Sequence, residues 1–160
     1  MDKELYRRGA HTVTDFKYHL VWKTKYSHHV LKGVVALRLR DIIREICIQH
    51  KMTIVKGNVR SNHIHILVEA PAYLSVAKIV QLIKGKSSYR LQREFSQLKK
   101  VYWGSHLWAR GYFGATVGAV TEDLIKQYIE NQDDGPESFK IWDEPELKPN
   151  NVELKSDSSE

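Results

Sequence analysis

The sequence predicts an α+β domain: a ferredoxin-like βαββαβ antiparallel sheet with helices on one face, plus a C-terminal helix that carries a tyrosine. Three observations lead there. Residues 14–23 alternate polar and apolar side chains, as a half-buried strand does. Residues 52–60 and 63–69 are β-rich runs separated by the turn residues Ser61 and Asn62. Two stretches of helical periodicity flank that pair.

In the first strand Phe16, Tyr18, Leu20 and Trp22 share one face, and Lys17, His19, Val21 and Lys23 share the other. Beyond Gly33, apolar residues recur at three and four (Leu39, Ile42, Ile43, Ile46, Cys47), which predicts a helix over about 33–50. Residues 52–60 follow as a strand, with Gly57 as the expected site of a bulge. Residues 63–69 return antiparallel until Pro71 ends the strand. Ser75 is the expected N-cap of the second helix, whose apolar face (Val76, Ile79, Val80, Ile83, Leu91, Phe95) extends to about residue 98. Residues 101–118 mix aromatics with glycines and predict a loop, then a strand near 111–117. Thr121 is the expected cap of the last helix, with Glu122 and Asp123 in its first turn. Asp134-Gly135-Pro136 stops it near Gln132.

Charge divides the chain at the same place. Residues 133–160 carry nine acids against three lysines, so the overall +6 separates into −6 there and +12 over residues 1–132. The expected organisation is therefore a catalytic domain over 1–132 and an acidic, weakly ordered C-terminal tail over 133–160. Trp142 is unusual in such a tail and suggests that its start packs on the body. A +12 body calls for a polyanionic partner. One cysteine, Cys47, excludes an internal disulfide and a multi-cysteine zinc site. No apolar run approaches a membrane span, and the first residues show no secretory signal. A cytoplasmic protein is the expectation.

His63 and His65 occupy positions i and i+2 of one strand and so project from one face, where two imidazoles can share a metal ion. Ile64 and Ile66 point into the core. Glu69 shares the histidine face but lies about 13 Å from His65 at strand rise, too far for the same ion. A third ligand must come from another element. On the last helix Tyr128 and Gln132 are four apart and share a face with Leu124 and Ile125. A metal-polarised phosphodiester beside a tyrosine suits covalent transesterification, which keeps the bond energy without ATP.

These residues resemble a known family. His63-Ile64-His65 is similar to the His–hydrophobic–His signature of the single-tyrosine HUH transposases, encoded by the smallest bacterial insertion sequences. Tyr128 to Gln132 (YIENQ) resembles their nucleophile helix. YHLVWKTKY (18–26), RSNHIHILVE (60–69) and KGKSSYRLQREF (84–95) fall in the family's order, so the likeness spans about 10–132. It implies a transposase that cleaves and rejoins single-stranded DNA at hairpin-marked element ends. Tyr128 would be the nucleophile of a 5′-phosphotyrosine intermediate, and His63, His65 and Gln132 the ligands of a divalent cation, Mg²⁺ or Mn²⁺. It also implies a homodimer, a nucleoid-associated location, and no nucleotide cofactor or small-molecule substrate.

Lys84, Lys86, Arg90 and Arg93 form a basic helix face suited to phosphate contacts, with Gly85 permitting close approach. Arg110 is a further candidate for phosphate. Trp103, Trp108 and Tyr112 are candidates for stacking unpaired bases, and His19 for reaching DNA beside Lys17. Other readings are a domesticated relative that nicks palindromes, a non-catalytic nucleic-acid-binding module, and a metal-dependent hydrolase. The hydrolase would need a carboxylate base near the ion, and the sequence offers none well placed.

Overall fold

The structure is a computed structural model that describes residues 6–104, residues 106–131 and the backbone of 139–142. Four strands form the central antiparallel sheet: β3 (Phe16–Lys23), β4 (Thr53–Val59), β5 (His63–Ala70) and β6 (Phe113–Val117). Their order is β6-β3-β5-β4, so the first and third strands of the βαββαβ unit are central, as predicted. A short hairpin, β1 (Arg7–Arg8) with β2 (Val13–Thr14), precedes them. A fifth strand, β7 (Phe139–Trp142), adds to the β4 edge, so residues past 132 rejoin the sheet. Gln132 and the tail beyond Trp142 lie outside the described residues.

The β3–β5 register sets Val21 opposite His65 and Lys23 opposite His63. Pairing of β4 with β5 skips from Ile54 to Lys56, which makes Val55 the bulged residue. Gly57 instead marks a register shift against β7 on the other edge.

Helix α1 (Gly33–Gln49) and helix α2 (Val76–Glu94) cover one face. The α1 face that buries Val35, Leu39, Ile42, Ile43 and Ile46 follows the three-and-four spacing of the sequence. It meets Leu20, Trp22, Ile64, Ile66 and Val68 from the sheet and Ile79, Ile83 and Leu91 from α2. Cys47 belongs to this core, and burial pushes its thiol up to about 12, so it is inert packing. Ser75 caps α2 by accepting from the Lys78 N–H. The helix ends earlier than its apolar pattern suggests. Phe95 adopts an extended backbone, and a separate helix α3 (Ser96–Val101) follows, returning Leu98 and Tyr102 to the core.

Helix α4 (Glu122–Glu130) lies on the opposite face, which is therefore only partly open. Thr121 does not cap it. Its backbone is already helical, and its hydroxyl donates to the Gly118 carbonyl instead. The docking residue is Ile129, buried with Val55, Leu67 and Val117 and flanked by Ile125, whereas Leu124 is exposed. Polar ties hold both ends. Lys17 pairs with Glu122 at 2.8 Å, Lys56 with Glu130 at 3.7 Å, and Asn58 Nδ2 donates to the Ile129 carbonyl at 3.2 Å.

Candidate active site

Strand alternation and helix docking bring the predicted histidines and tyrosine together. His63 and His65 project from β5 with ring centroids 5.0 Å apart. Tyr128, presented by α4, lies edge-on to His65 at 5.7 Å and to His19 at 5.9 Å. Its side chain is half exposed. His19, Val21, His65, Phe113, Ile125 and Tyr128 line a cleft of about 430 Å³. A second cleft, of about 370 Å³, shares Val21 and Phe113 and is walled by Lys23, Asn62, His63, Arg110 and Tyr112 among others. The two histidines therefore stand between a tyrosine on one side and an arginine on the other. Among the described residues, the charged ones lining the clefts are Lys23 and Arg110, with no carboxylate. That lining suits a phosphodiester.

Hydrogen bonds set the imidazole tautomers. Asn62 Oδ1 lies 2.7 Å from His63 Nδ1 and can only accept, so His63 donates there and carries its lone pair on Nε2. His65 Nδ1 faces His19 Nε2 across a longer 3.4 Å contact. Burial lowers the pKa of His19, which keeps it neutral and able to accept. Two same-face imidazoles with oriented second shells fit a shared divalent cation. Among the described residues no group of three His, Cys, Asp or Glu could hold a metal ion. Gln132, the predicted third ligand, is outside the described residues.

The basic residues of α2 distribute differently. They belong to the helix layer, across the sheet from His63 and His65. Arg90 pairs with Glu45 of α1 at 2.6 Å, and Lys86 meets His50 Nε2 at 2.9 Å. Arg93 lies over the Tyr89 ring and donates to its hydroxyl. Lys84 reaches furthest: its ammonium donates to the carbonyls of Ala109 and Gly111, at 2.8 and 2.9 Å. Those carbonyls flank Arg110. Next in sequence, Ser88 Oγ accepts from the Leu107 N–H, and Ser87 Oγ accepts from Trp108 Nε1. The Lys-Gly-Lys-Ser-Ser stretch thus fixes the 107–111 segment that carries Arg110 to the cleft. Trp108 is buried against Trp22 and is not free to stack on a base, whereas Tyr112 is partly exposed at the cleft wall and Trp103 is almost fully exposed. A Cβ on Gly85 would meet nothing, so no protein contact requires that glycine.

His19 is the residue that sequence reasoning underrated. Its signal was the shared face with Lys17, but its role depends on a diagonal contact across β3 and β5.

Residues 12–132 match the family described as IS200-like transposases. The chain belongs to that family. It is 37% identical over 128 residues to the ISDra2 transposase TnpA of Deinococcus radiodurans, covering 80% of this chain and 91% of that protein. It is 36% identical over 123 residues to the transposase of insertion sequence IS200 of Salmonella typhimurium, covering 77% and 80%. A crystal structure of a D. radiodurans protein described as a transposase superposes with a TM-score of 0.66 at 37% identity, over 81% of this chain and 99% of that one. A tyrosine transposase bound to a REP hairpin shares the fold, with a TM-score of 0.56 at 14% identity, over 83% and 80%. The IS200-like family makes this chain a transposase that cuts and transfers DNA strands. No helix among the described residues is long and apolar enough to cross a membrane.

Proposed function

We propose that this transposase cleaves and rejoins single-stranded DNA at hairpin-marked ends through a covalent Tyr128 intermediate. The observation that carries the reading is Tyr128 standing 5.7 Å, ring to ring, from His65 in a cleft that no carboxylate lines among the described residues. Tyr128 Oη attacks the scissile phosphorus. The new bond is Tyr128 O–P, the bond broken is P–O3′, and the phenolic proton is balanced by protonation of the departing 3′ oxygen. The product is a 5′-phosphotyrosine with a free 3′-OH. Attack by another 3′-OH reverses the exchange, joins the strands and restores the phenol.

His63 and His65, with Gln132 as third ligand, would hold Mg²⁺ or Mn²⁺. When bound, the cation relieves charge on the non-bridging oxygens. Asn62 holds the His63 imidazole in one tautomer, His19 packs against the His65 ring, and Arg110 would face the phosphate from the neighbouring cleft. A homodimer acting in the nucleoid, on DNA alone, completes the reading. The hairpin carried by a protein of the same fold supports a hairpin as the first substrate to test. A hydrolase is disfavoured because, among the described residues, neither cleft offers a carboxylate to activate water.

The test is covalent trapping. Protein is mixed with labelled single-stranded hairpins from the sequence flanking its gene, with Mg²⁺ or Mn²⁺. The expected product is an SDS-resistant adduct that needs the cation and is absent from Tyr128→Phe, which still binds the hairpin. Binding without any adduct would overturn the reading in favour of a non-catalytic module.

A further inference from the structure

Two exposed aromatic residues sit on backbone that side chains normally avoid. Tyr26 has φ 60° and is 72% exposed, and Trp103 has φ 53° and is 94% exposed. Left-handed backbone is unfavourable for a residue with a side chain. Trp103 occupies the position after helix α3 where glycine usually terminates a helix. Burial does not offset that cost in either case, since both rings face solvent. Such strain held at the surface points to a use.

The surroundings specify the use. His28 links the two sites, with its ring 5.8 Å from Tyr26 and 5.5 Å from Tyr102, the residue before Trp103. Lys25 lies 5.4 Å from the centre of the Tyr26 ring, and Lys99 and Lys100 are exposed on the last turn of α3. Segments 23–32 and 96–112 contain Lys23, Lys25, Lys32, Lys99, Lys100 and Arg110 and no acidic residue. The shelf is also rigidly mounted. The Thr24 hydroxyl donates to the His28 carbonyl at 2.7 Å, the Thr24 N–H donates to the Asn62 carbonyl, and the Lys25 N–H donates to the Leu107 carbonyl. Asn62 is the residue that orients His63, so the shelf begins where the Arg110 cleft ends.

We propose that Tyr26, His28 and Trp103 form a stacking shelf for unpaired DNA bases on the strand that leaves the histidine site. The proposal rests on the single-stranded DNA reading above and adds a base-binding site to it. Flat, exposed rings interleaved with lysines are how proteins hold single strands without reading sequence. A shelf fixed in place by left-handed backbone loses little freedom when a base stacks on it.

Trp103→Gly and Tyr26→Asn test this in the full chain, because both replacements suit left-handed backbone and should fold at least as stably as the wild type. The probe is a fluorescein-labelled hairpin with unpaired flanks of about ten nucleotides, compared with the same hairpin trimmed of its flanks. Each variant is expected to lose roughly 5- to 100-fold in affinity for the flanked hairpin, as removal of one stacking ring does. The trimmed hairpin should bind wild type and variants alike, and adduct yield at saturating DNA should be unchanged. Undiminished affinity of both variants for the flanked probe overturns the shelf, as does an equal loss for both probes. Flank-dependent binding that falls in the variants, with no adduct from any of them, would leave the shelf standing and refute the catalytic reading instead.

Discussion

The two faces of the sheet are built to opposite specifications. Under α1 and α2, side chains such as Leu20, Ile64, Ile66, Leu39 and Ile83 form a continuous apolar core with no measurable exposure. Under α4, four apolar residues (Val55, Leu67, Val117 and Ile129) are buried among the described residues, and two ion pairs and one side-chain hydrogen bond complete the docking. The first face holds the fold, and the second holds a tyrosine against histidines. Burial drives both, but the second face gives up apolar area to keep titratable groups beside a cleft. Neighbouring residues on one strand can therefore have unrelated jobs.

The sharpest way to break this comparison is to substitute two adjacent residues. His65→Ala should abolish cleavage and cation binding while costing about 1–3 kcal/mol in stability, because its ring is buried against His19. Ile66→Ala, one position on, should cost about 2–5 kcal/mol and lower Tm by on the order of 10 °C, yet leave the remaining folded protein able to cleave. Thermal denaturation and trapping on the same pair check both halves. If His65→Ala unfolds the chain, or Ile66→Ala removes activity without loss of stability, the division between faces is wrong.

A smaller effect is expected where the two faces communicate. Lys84 starts on the core-facing helix and ends on the carbonyls around Arg110. Lys84→Met leaves those carbonyls without their donor, at a cost of about 1–3 kcal/mol. Because Arg110 then loses its support, affinity for DNA should weaken beyond any change in Tm. Titrations of Lys84→Met and Arg110→Ala should show similar losses, and additive losses in the double variant would mean that Lys84 does not act through Arg110. The smallest effect belongs to the docking ties. Lys17→Met should reduce stability by about 1 kcal/mol or less, diminishing further in high salt, because Lys17–Glu122 is a partly exposed pair. Urea denaturation at two salt concentrations measures it.

Strand order, both long helices and the shared face of His63 and His65 were legible because period-two and period-3.6 patterns decide which side chains share a face, whereas the place of Tyr128 beside them was implied by the family resemblance and not by any local pattern. Register and loop path were not. The Val55 bulge, the break at Phe95 and the His19–His65 contact depend on how separate segments meet, which no local pattern encodes. The basic run on α2 shows the same limit. Charge on a helix predicts an anion-facing surface, but Lys84 faces two carbonyls and Arg90 faces Glu45. Residue type made Trp103, Trp108 and Tyr112 stacking candidates with at least one of them expected in the core or an interface, and Trp108 is the core one, its indole committed to Ser87 and Trp22.

The proposed reaction requires that Tyr128, among eight tyrosines, makes the covalent bond to DNA. Peptide mapping by mass spectrometry, after the trapped adduct is trimmed with nuclease, tests it most directly. The expected result is a residual nucleotide 5′-phosphate on the peptide containing Tyr128, formed only with a divalent cation and lost from His63→Ala and His65→Ala. A nucleotide on any other residue, or strand cleavage that releases a free 5′-phosphate with no adduct, would contradict it.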